Sequence, residues 1–310
     1  MSSPAQPGTW RIGRVSGVDV LIKPSLLLMG VALVLLFAPR FEGRLDSNPY
    51  VIATGFVLGL YVSVLVHELA HVVVARRFRM RVRSVTLHLL GGETLIEGES
   101  RTPWQELAIS IAGPLASLAI GLASFAVEPS LSGTTADILY AVAQVNILVA
   151  IFNMLPGLPL DGGRVFRAII WQVTGREALG IRVAAWIGRL TAIAIVVLVL
   201  VRDRGGPEFT IDLVIAALVG WFLWQGAGDA LRSASRASRV NLLDARTLAD
   251  TSTAAPAGMP ALPADLRGSE LLRAMAAVPA DTYVLTEPDG SVYGVLSANA
   301  VDEAYRASRR

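Results

Sequence analysis

The stretch Val66-His67-Glu68-Leu69-Ala70-His71-Val72, set inside the apolar run Tyr50 to Ala75, decides how this chain is read. Apart from tyrosines, His67, Glu68 and His71 are the only ionisable side chains in that run. About 20 apolar residues cross a bilayer, and an ionisable group at membrane depth costs at least a few kcal/mol, so three of them within about one turn mark a functional site. On an α-helix His67 and His71 stand about 40° apart in azimuth and about 6 Å apart in rise, so both imidazoles reach one ion. Glu68 lies about 100° round from His67, placed to take a proton from a water rather than to ligate. Burying a carboxylate and two imidazoles without a metal would be expensive, so the segment predicts a metal centre in a membrane helix.

The composition agrees. Of 310 residues, 53% are hydrophobic and 17% charged, against about 25% charged in ordinary globular domains, and the mean hydropathy is +0.55. The chain has no cysteine, which excludes disulfides, iron–sulfur clusters and thiolate zinc sites and leaves His, Asp and Glu to hold a metal. A net charge of +2, with basic residues scattered through short loops, argues against a nucleic-acid partner and for topology signals.

Six apolar runs read as spans of an α-helical polytopic membrane protein: Pro24 to Phe37, Tyr50 to Ala75, Leu107 to Val127, Ile138 to Leu160, Val183 to Val201 with Arg189 inside, and Leu213 to Gly228. The first is short unless Val20 to Ile22 joins it across Lys23. Arg76, Arg77, Arg79, Arg81, Arg83 and Arg101 lie between spans two and three, and Arg164, Arg167, Arg176 and Arg182 between four and five. The excess of arginine puts these loops, and with them both termini, in the cytoplasm of a multi-pass plasma-membrane protein. Residues 1 to 19 hold no signal-peptide core or cleavage site, so the first run is expected to stay as an anchor.

Val85 to Leu90 and Thr94 to Ile96 read as short strands joined by a Gly91-Gly92 turn, a β-hairpin at the membrane surface. Past the transmembrane domain (1–229) comes a polar linker (230–263), rich in Ala, Pro, Ser and Thr near Thr251 to Pro263. Residues 264–310 then form a small soluble α/β unit, with helices over Gly268 to Val278 and Ala298 to Ser308 and strands over Thr282 to Leu285 and Val292 to Leu296.

A catalytic zinc takes three protein ligands and keeps one position open. The extended pattern H-E-x-x-H-x-x-G-x-x-H fails, since position 74 is Val and position 77 Arg. His88, Glu93, Glu97 and Asp161 remain as candidates for the third ligand, and Asp161 is the best of them. It follows Asn153-Met154-Leu155-Pro156-Gly157-Leu158-Pro159-Leu160, where Pro156, Gly157 and Pro159 must break span four, and non-helical backbone at membrane depth is tolerated only when buried or lining a watery cavity. Spans two and four both run outside to inside, which delivers Asp161 to the same side as the histidines.

His67 to His71, Ala112-Gly113-Pro114-Leu115-Ala116, and Asn153 to Gly163, in that order and at those separations, resemble the site-2 protease family of intramembrane zinc metalloproteases over a core of residues 50–167. The resemblance implies one Zn²⁺ per chain held by His67, His71 and Asp161, with Glu68 as general base and Asn153 near the substrate, helping the oxyanion. It implies regulated intramembrane proteolysis: hydrolysis of a peptide bond in or near the transmembrane segment of a single-span membrane protein in the lipid bilayer, an anti-sigma factor being the family-level substrate. The layout resembles the bacterial branch that carries CBS domains, normally as two repeats. Only one repeat is visible here, so a dimerisation or regulatory cap is as well supported as nucleotide binding. Two competing readings are a metal-binding scaffold that does not cleave, against which an intact Glu68 argues, and a metal-ion transporter. A transporter would need polar groups spread through the membrane's depth, and here they gather near one face.

Overall fold

Proline opens each of the first three helices, α1 (Pro24–Phe37), α2 (Pro49–Arg77) and α3 (Pro103–Val127). Its fixed φ suits a first helical turn, and the N–H it lacks would have had no intrahelical partner there. Asn48 and Thr102 cap α2 and α3 by accepting from the N–H groups of Tyr50 and Gln105. The chain continues through α4 (Thr134–Asn153), α5 (Asp161–Thr174), α6 (Glu177–Arg202) and α7 (Pro207–Asn241). These elements belong to a computed structural model that describes residues 8–15, 17–41, 48–88, 91–98, 100–202, 207–252 and 258–308. It falls into two compact units, Met1–Gly228 and Asp229–Arg310.

Five helices among the described residues are long and apolar enough to cross a membrane: α2, α3 with the short 3-10 turn after it, α4, α6 and α7 from Asp212. Six spans were expected. The difference is α1, whose 14 residues reach about 21 Å at 1.5 Å per residue, short of the ~30 Å hydrocarbon core. Val20 to Ile22 do not lengthen it, because they are held in a strand.

That strand belongs to a four-stranded sheet, larger than the hairpin expected from the sequence. Its order is β1 (Trp10–Val15), β2 (Val18–Ile22), β3 (Arg81–His88), β4 (Gly91–Glu97), with β2 and β3 parallel and the outer pairs antiparallel. Gly91 and Gly92 are not the turn. The register pairs His88 with Gly91 and Leu87 with Gly92, so both glycines lie in β4; the tip at residues 89–90 is outside the described residues. On the face turned to α2, Val82, Val85 and Ile96 join Val72, Ala75 and Ile109 in one apolar cluster.

Inside the helical layer, small residues let α2 and α4 approach closely. A Cβ on Gly59 would meet Cγ2 of Val142 at 2.6 Å, and one on Gly55 would meet Cδ1 of Ile138 at 2.5 Å. The same interface holds a buried polar clasp, in which Asn146 Nδ2 donates to Ser63 Oγ at 2.9 Å and to Val142 O at 2.8 Å, while Ser63 Oγ donates to Gly59 O. Without water, such groups must find partners within the protein.

The second unit holds α8 (Ala245–Leu248), β5 (Ala261–Pro263), α9 (Gly268–Ala277), β6 (Thr282–Thr286), β7 (Val292–Ser297) and α10 (Ala298–Ala307). Its sheet order is β5-β6-β7, the first pair parallel and the second antiparallel. Leu243, Leu271, Tyr283, Leu285, Leu296 and Val301 form its core. The buried Tyr283 hydroxyl is satisfied, donating to Met275 O and accepting from the Ala280 N–H. The expected linker is structured over much of its length: residues 230–241 are the end of α7, and α8 and β5 follow. The sequence from Asp229 to Ala255 has no Gly or Pro to stop a helix and continues from Asp229 with Ala230, Leu231 and Arg232, good helix formers. Residues 253–257, in its Ala/Pro/Ser/Thr-rich part, lie outside the described residues.

Candidate metal centre

His67 and His71, one turn apart on α2, are 6% and 5% exposed, and Glu68 between them is 8% exposed. Asp161 arrives from a distant part of the chain. α4 ends at Asn153, the prolines and Gly157 carry a non-helical passage through a cis Leu158–Pro159 peptide, and Asp161 is the first residue of α5. The glycines after it are needed for close approach: a Cβ at Gly162 would stand 2.5 Å from the Leu155 carbonyl oxygen, and one at Gly163 would collide with the backbone of Gly157 and Leu158. The start of α5 therefore lies directly on the passage that precedes it. Arg164, one turn on, donates from Nε to Glu106 Oε1 at 2.9 Å, and Ser100 Oγ donates to Glu106 Oε2 at 2.6 Å. This ion pair, with Glu106 buried and Arg164 partly exposed, fastens α5 to α3.

The result is a convergent donor set. Asp161 Oδ2 is 3.1 Å from His67 Nε2 and 3.3 Å from His71 Nε2, and the three ligand atoms all lie within 4.8 Å of one another. Both imidazoles are steered by α3. His71 Nδ1 lies 2.7 Å from the Ile109 carbonyl oxygen and His67 Nδ1 2.9 Å from Ser117 Oγ. A carbonyl only accepts, so His71 Nδ1 carries the proton, and in the neutral ring Nε2 turns a lone pair toward the Asp161 oxygen. Two acceptors 3.3 Å apart repel until a proton or a metal cation lies between them, and two imidazoles with one carboxylate are a donor set that suits zinc. Gly113 clears the room for both rings: a Cβ there would reach 2.5 Å from His67 Nε2 and closer still to His71 Nε2.

Glu68 is held from the sheet. Thr94 Oγ1 donates to its Oε2 at 2.6 Å, and Gly92 presents a bare Cα to the same carboxylate. A cavity of about 570 Å³ opens beside these groups, lined by His67, Glu68, His71, Gly91 to Thr94, Asn153, Pro159, Asp161 and Arg164 together with apolar side chains of α2, α4 and α7. Among the described residues, the group of donors close enough to hold a metal is His67, His71 and Asp161. His88 sits at the end of β3, half-buried, where burial and the nearby Lys23 push its imidazole below its usual range. Glu93 lines the cavity outside the donor group, and the side chain of Glu97 lies outside the described residues. Sequence reasoning missed Ser117, the Ile109 carbonyl, Thr94 and the Glu106–Arg164 pair. The signal available was Glu106, the one charged side chain of α3.

The model of peptidase family M50 matches residues 55–137 and 128–199. A protein of Synechocystis sp. named as a zinc metalloprotease is 33% identical over 302 residues, covering 94% of this chain and 76% of its own. The zinc metalloprotease Rip3 of Mycobacterium tuberculosis is 32% identical over 299 residues, covering 92% and 73%. Among solved structures, the site-2 protease from Methanocaldococcus jannaschii is 25% identical with a TM-score of 0.52, covering 72% of this chain and 95% of that one. The α2 motif and Asp161 both fall within the matched region, and the chain belongs to peptidase family M50, the site-2 proteases, as a zinc metalloprotease.

Proposed function

We propose that this protein is an intramembrane endopeptidase that cuts a single-span membrane protein in or near its transmembrane segment, as in regulated intramembrane proteolysis. His67, His71 and Asp161 hold the zinc and Glu68 is the general base. The observation that carries the reading is one cavity lined by the three donors, the Glu68 carboxylate and Asn153, beside helices long and apolar enough to cross a bilayer. Bound zinc supplies a Lewis acid that makes water a nucleophile near neutral pH. Glu68 takes the proton from the attacking water and returns it to the leaving amine. The Asn153 amide, at the end of α4, donates to the developing oxyanion.

A substrate helix has its backbone paired within itself and must unwind first. β4 is at the edge of its sheet, so an extended substrate segment can add to it. By family-level reasoning the substrate is a membrane-anchored regulator such as an anti-sigma factor. A non-cleaving scaffold would have no use for a carboxylate kept beside the donors and outside the donor set.

Both termini are placed in the cytoplasm, on six membrane segments. β2 pairs in parallel with β3, so the N-terminal strands lie on the side reached by the C-terminal end of α2. The chain between β2 and the start of α2 must then traverse the membrane. α1 manages this with 14 residues because it starts at depth: Lys23 N donates to Leu87 O, and β4 beside that strand is bonded to Glu68, well inside the apolar span of α2. In the second unit, the α9-β6-β7-α10 order supports a single CBS-like repeat, placed here as a dimerisation or regulatory cap.

The test is Glu68→Gln, which keeps the side chain's shape but cannot take the proton. The expected outcome is about one zinc per chain retained, a loss of roughly 10²- to 10⁴-fold in cleavage, and accumulation of an uncut single-span protein on the variant in membranes. Cleavage at the wild-type rate by a zinc-loaded variant overturns the mechanism.

A further inference from the structure

We propose that Thr94 is a positioning residue for the general base, tying the orientation of the Glu68 carboxylate to the edge strand β4. The proposal rests on Glu68 being that base. Val85 and Leu87 on β3 pair with Thr94 and Gly92 on β4, so these four share one face of the sheet, the face Val85 packs against α2. That face is apolar except for Thr94. Valine would fill the same volume, and a hydroxyl turned toward a helix there needs a partner.

It has one. Thr94 Oγ1 lies 2.6 Å from Glu68 Oε2 and 3.4 Å from the Glu68 carbonyl oxygen. Two residues earlier, Gly92 closes the other side, where a Cβ would stand 2.7 Å from both Cδ and Oε1 of Glu68. The carboxylate is therefore gripped by β4 at two points: Oε2 is occupied by a hydroxyl proton, and Oε1 is aligned by the bare strand. Asn153, the three metal-site residues and this pair line the same cavity. An extended chain added to β4 would bear on the strand that orients the base, so substrate docking and base alignment are mechanically one event. Losing the hydroxyl leaves Glu68 able to take a proton but free to turn.

The experiment compares Thr94→Val, Thr94→Ser and Glu68→Gln in the full-length, zinc-loaded protein in detergent, with fluorescein-labelled casein as the extended probe chain. Thr94→Val should keep its zinc, lose kcat by roughly 10- to 100-fold, as suits a hydrogen bond to a charged group, and keep KM within about twofold. Thr94→Ser, which retains the donor, should restore most of the rate. A readout independent of activity is thermal unfolding of the zinc-free protein. Thr94→Val should lower Tm by a few degrees in the wild-type background and by a much smaller shift in a Glu68→Ala background, because its partner is gone. An unchanged kcat in Thr94→Val while Glu68→Gln is inactive, or an equal Tm loss in both backgrounds, overturns the positioning role. A Glu68→Gln protein that cleaves casein normally overturns the base assignment instead.

Discussion

Ser117 Oγ lies 2.9 Å from Nδ1 of His67, 50 residues away along the chain, and both side chains are buried between α2 and α3. The hydroxyl fixes the ring so that Nε2 faces Asp161. Groups that orient a metal-binding histidine from behind typically change metal affinity 10- to 100-fold when removed. Ser117→Ala should weaken zinc binding by about that factor in competition with a chelator, without changing the stoichiometry at saturating metal. Asp161→Ala should lose zinc outright, since two ligands then remain of three.

Gly113 acts by what it lacks. A methyl group there would intrude on Nε2 of both histidines, while alanine in a helix interior is intrinsically better than glycine by about 1 kcal/mol. Gly113→Ala should therefore separate two properties that usually fail together. The purified protein should keep its helical content and a thermal transition near that of zinc-free wild type, yet bind little or no zinc. Full zinc occupancy in this variant would show that the rings have room the structure denies them.

The metal chemistry was legible in the sequence because it is local or carried by strong breakers. His67, Glu68 and His71 stand out against an apolar run, and Pro156, Gly157 and Pro159 announce a passage that can deliver Asp161. Non-local pairing left no such mark. The parallel alignment of Val20 with Val85 joins segments some sixty residues apart, so Val20 to Ile22 reads as an extension of the first apolar run and the sheet as a lone hairpin. Gly91-Gly92 read as a turn because glycine usually marks one, whereas Gly92 is needed where β4 meets Glu68. The steric role of Gly113 is likewise invisible in the sequence, because it appears only when α3 lies beside α2. α1 is short for a span, and the sequence does not reveal that the chain before it is held in the sheet, where Lys23 N donates to Leu87 O.

Asn146 and Ser63 join α4 to α2 one turn before His67, at a point where both side chains are buried. Hydrogen bonds between membrane helices average about 0.6 kcal/mol in double-mutant cycles and reach about 1.7. Asn146→Ala and Ser63→Ala, singly and together, should give a coupling of about that size in unfolding from detergent micelles. Zinc content should be preserved in all three, since neither residue touches the donor set. A coupling indistinguishable from zero would mean that the glycine contacts at Gly55 and Gly59 carry the α2–α4 interface alone.

The proposed orientation of the chain rests on two independent arguments that one labelling experiment can break. Arginines crowd the loops after α2 and after α4, the excess expected of cytoplasmic loops, and the β2–β3 pairing sets the N-terminal strands beside the segment that follows α2. With no native cysteine, single cysteines can be introduced on a clean background. Pro39, just past α1, and Ser132, between α3 and α4, are exposed, as is Ser269 on α9. Pro39→Cys and Ser132→Cys should react with an impermeant thiol reagent added to intact cells, and Ser269→Cys only after permeabilisation. Labelling of a cysteine at the exposed Arg14, before α1, together with Pro39→Cys would mean that α1 does not cross and that the chain has five spans. Labelling of Ser269→Cys with protection of Pro39→Cys and Ser132→Cys would turn the molecule over, move the metal centre to the outer face, and overturn the cytoplasmic placement of both termini.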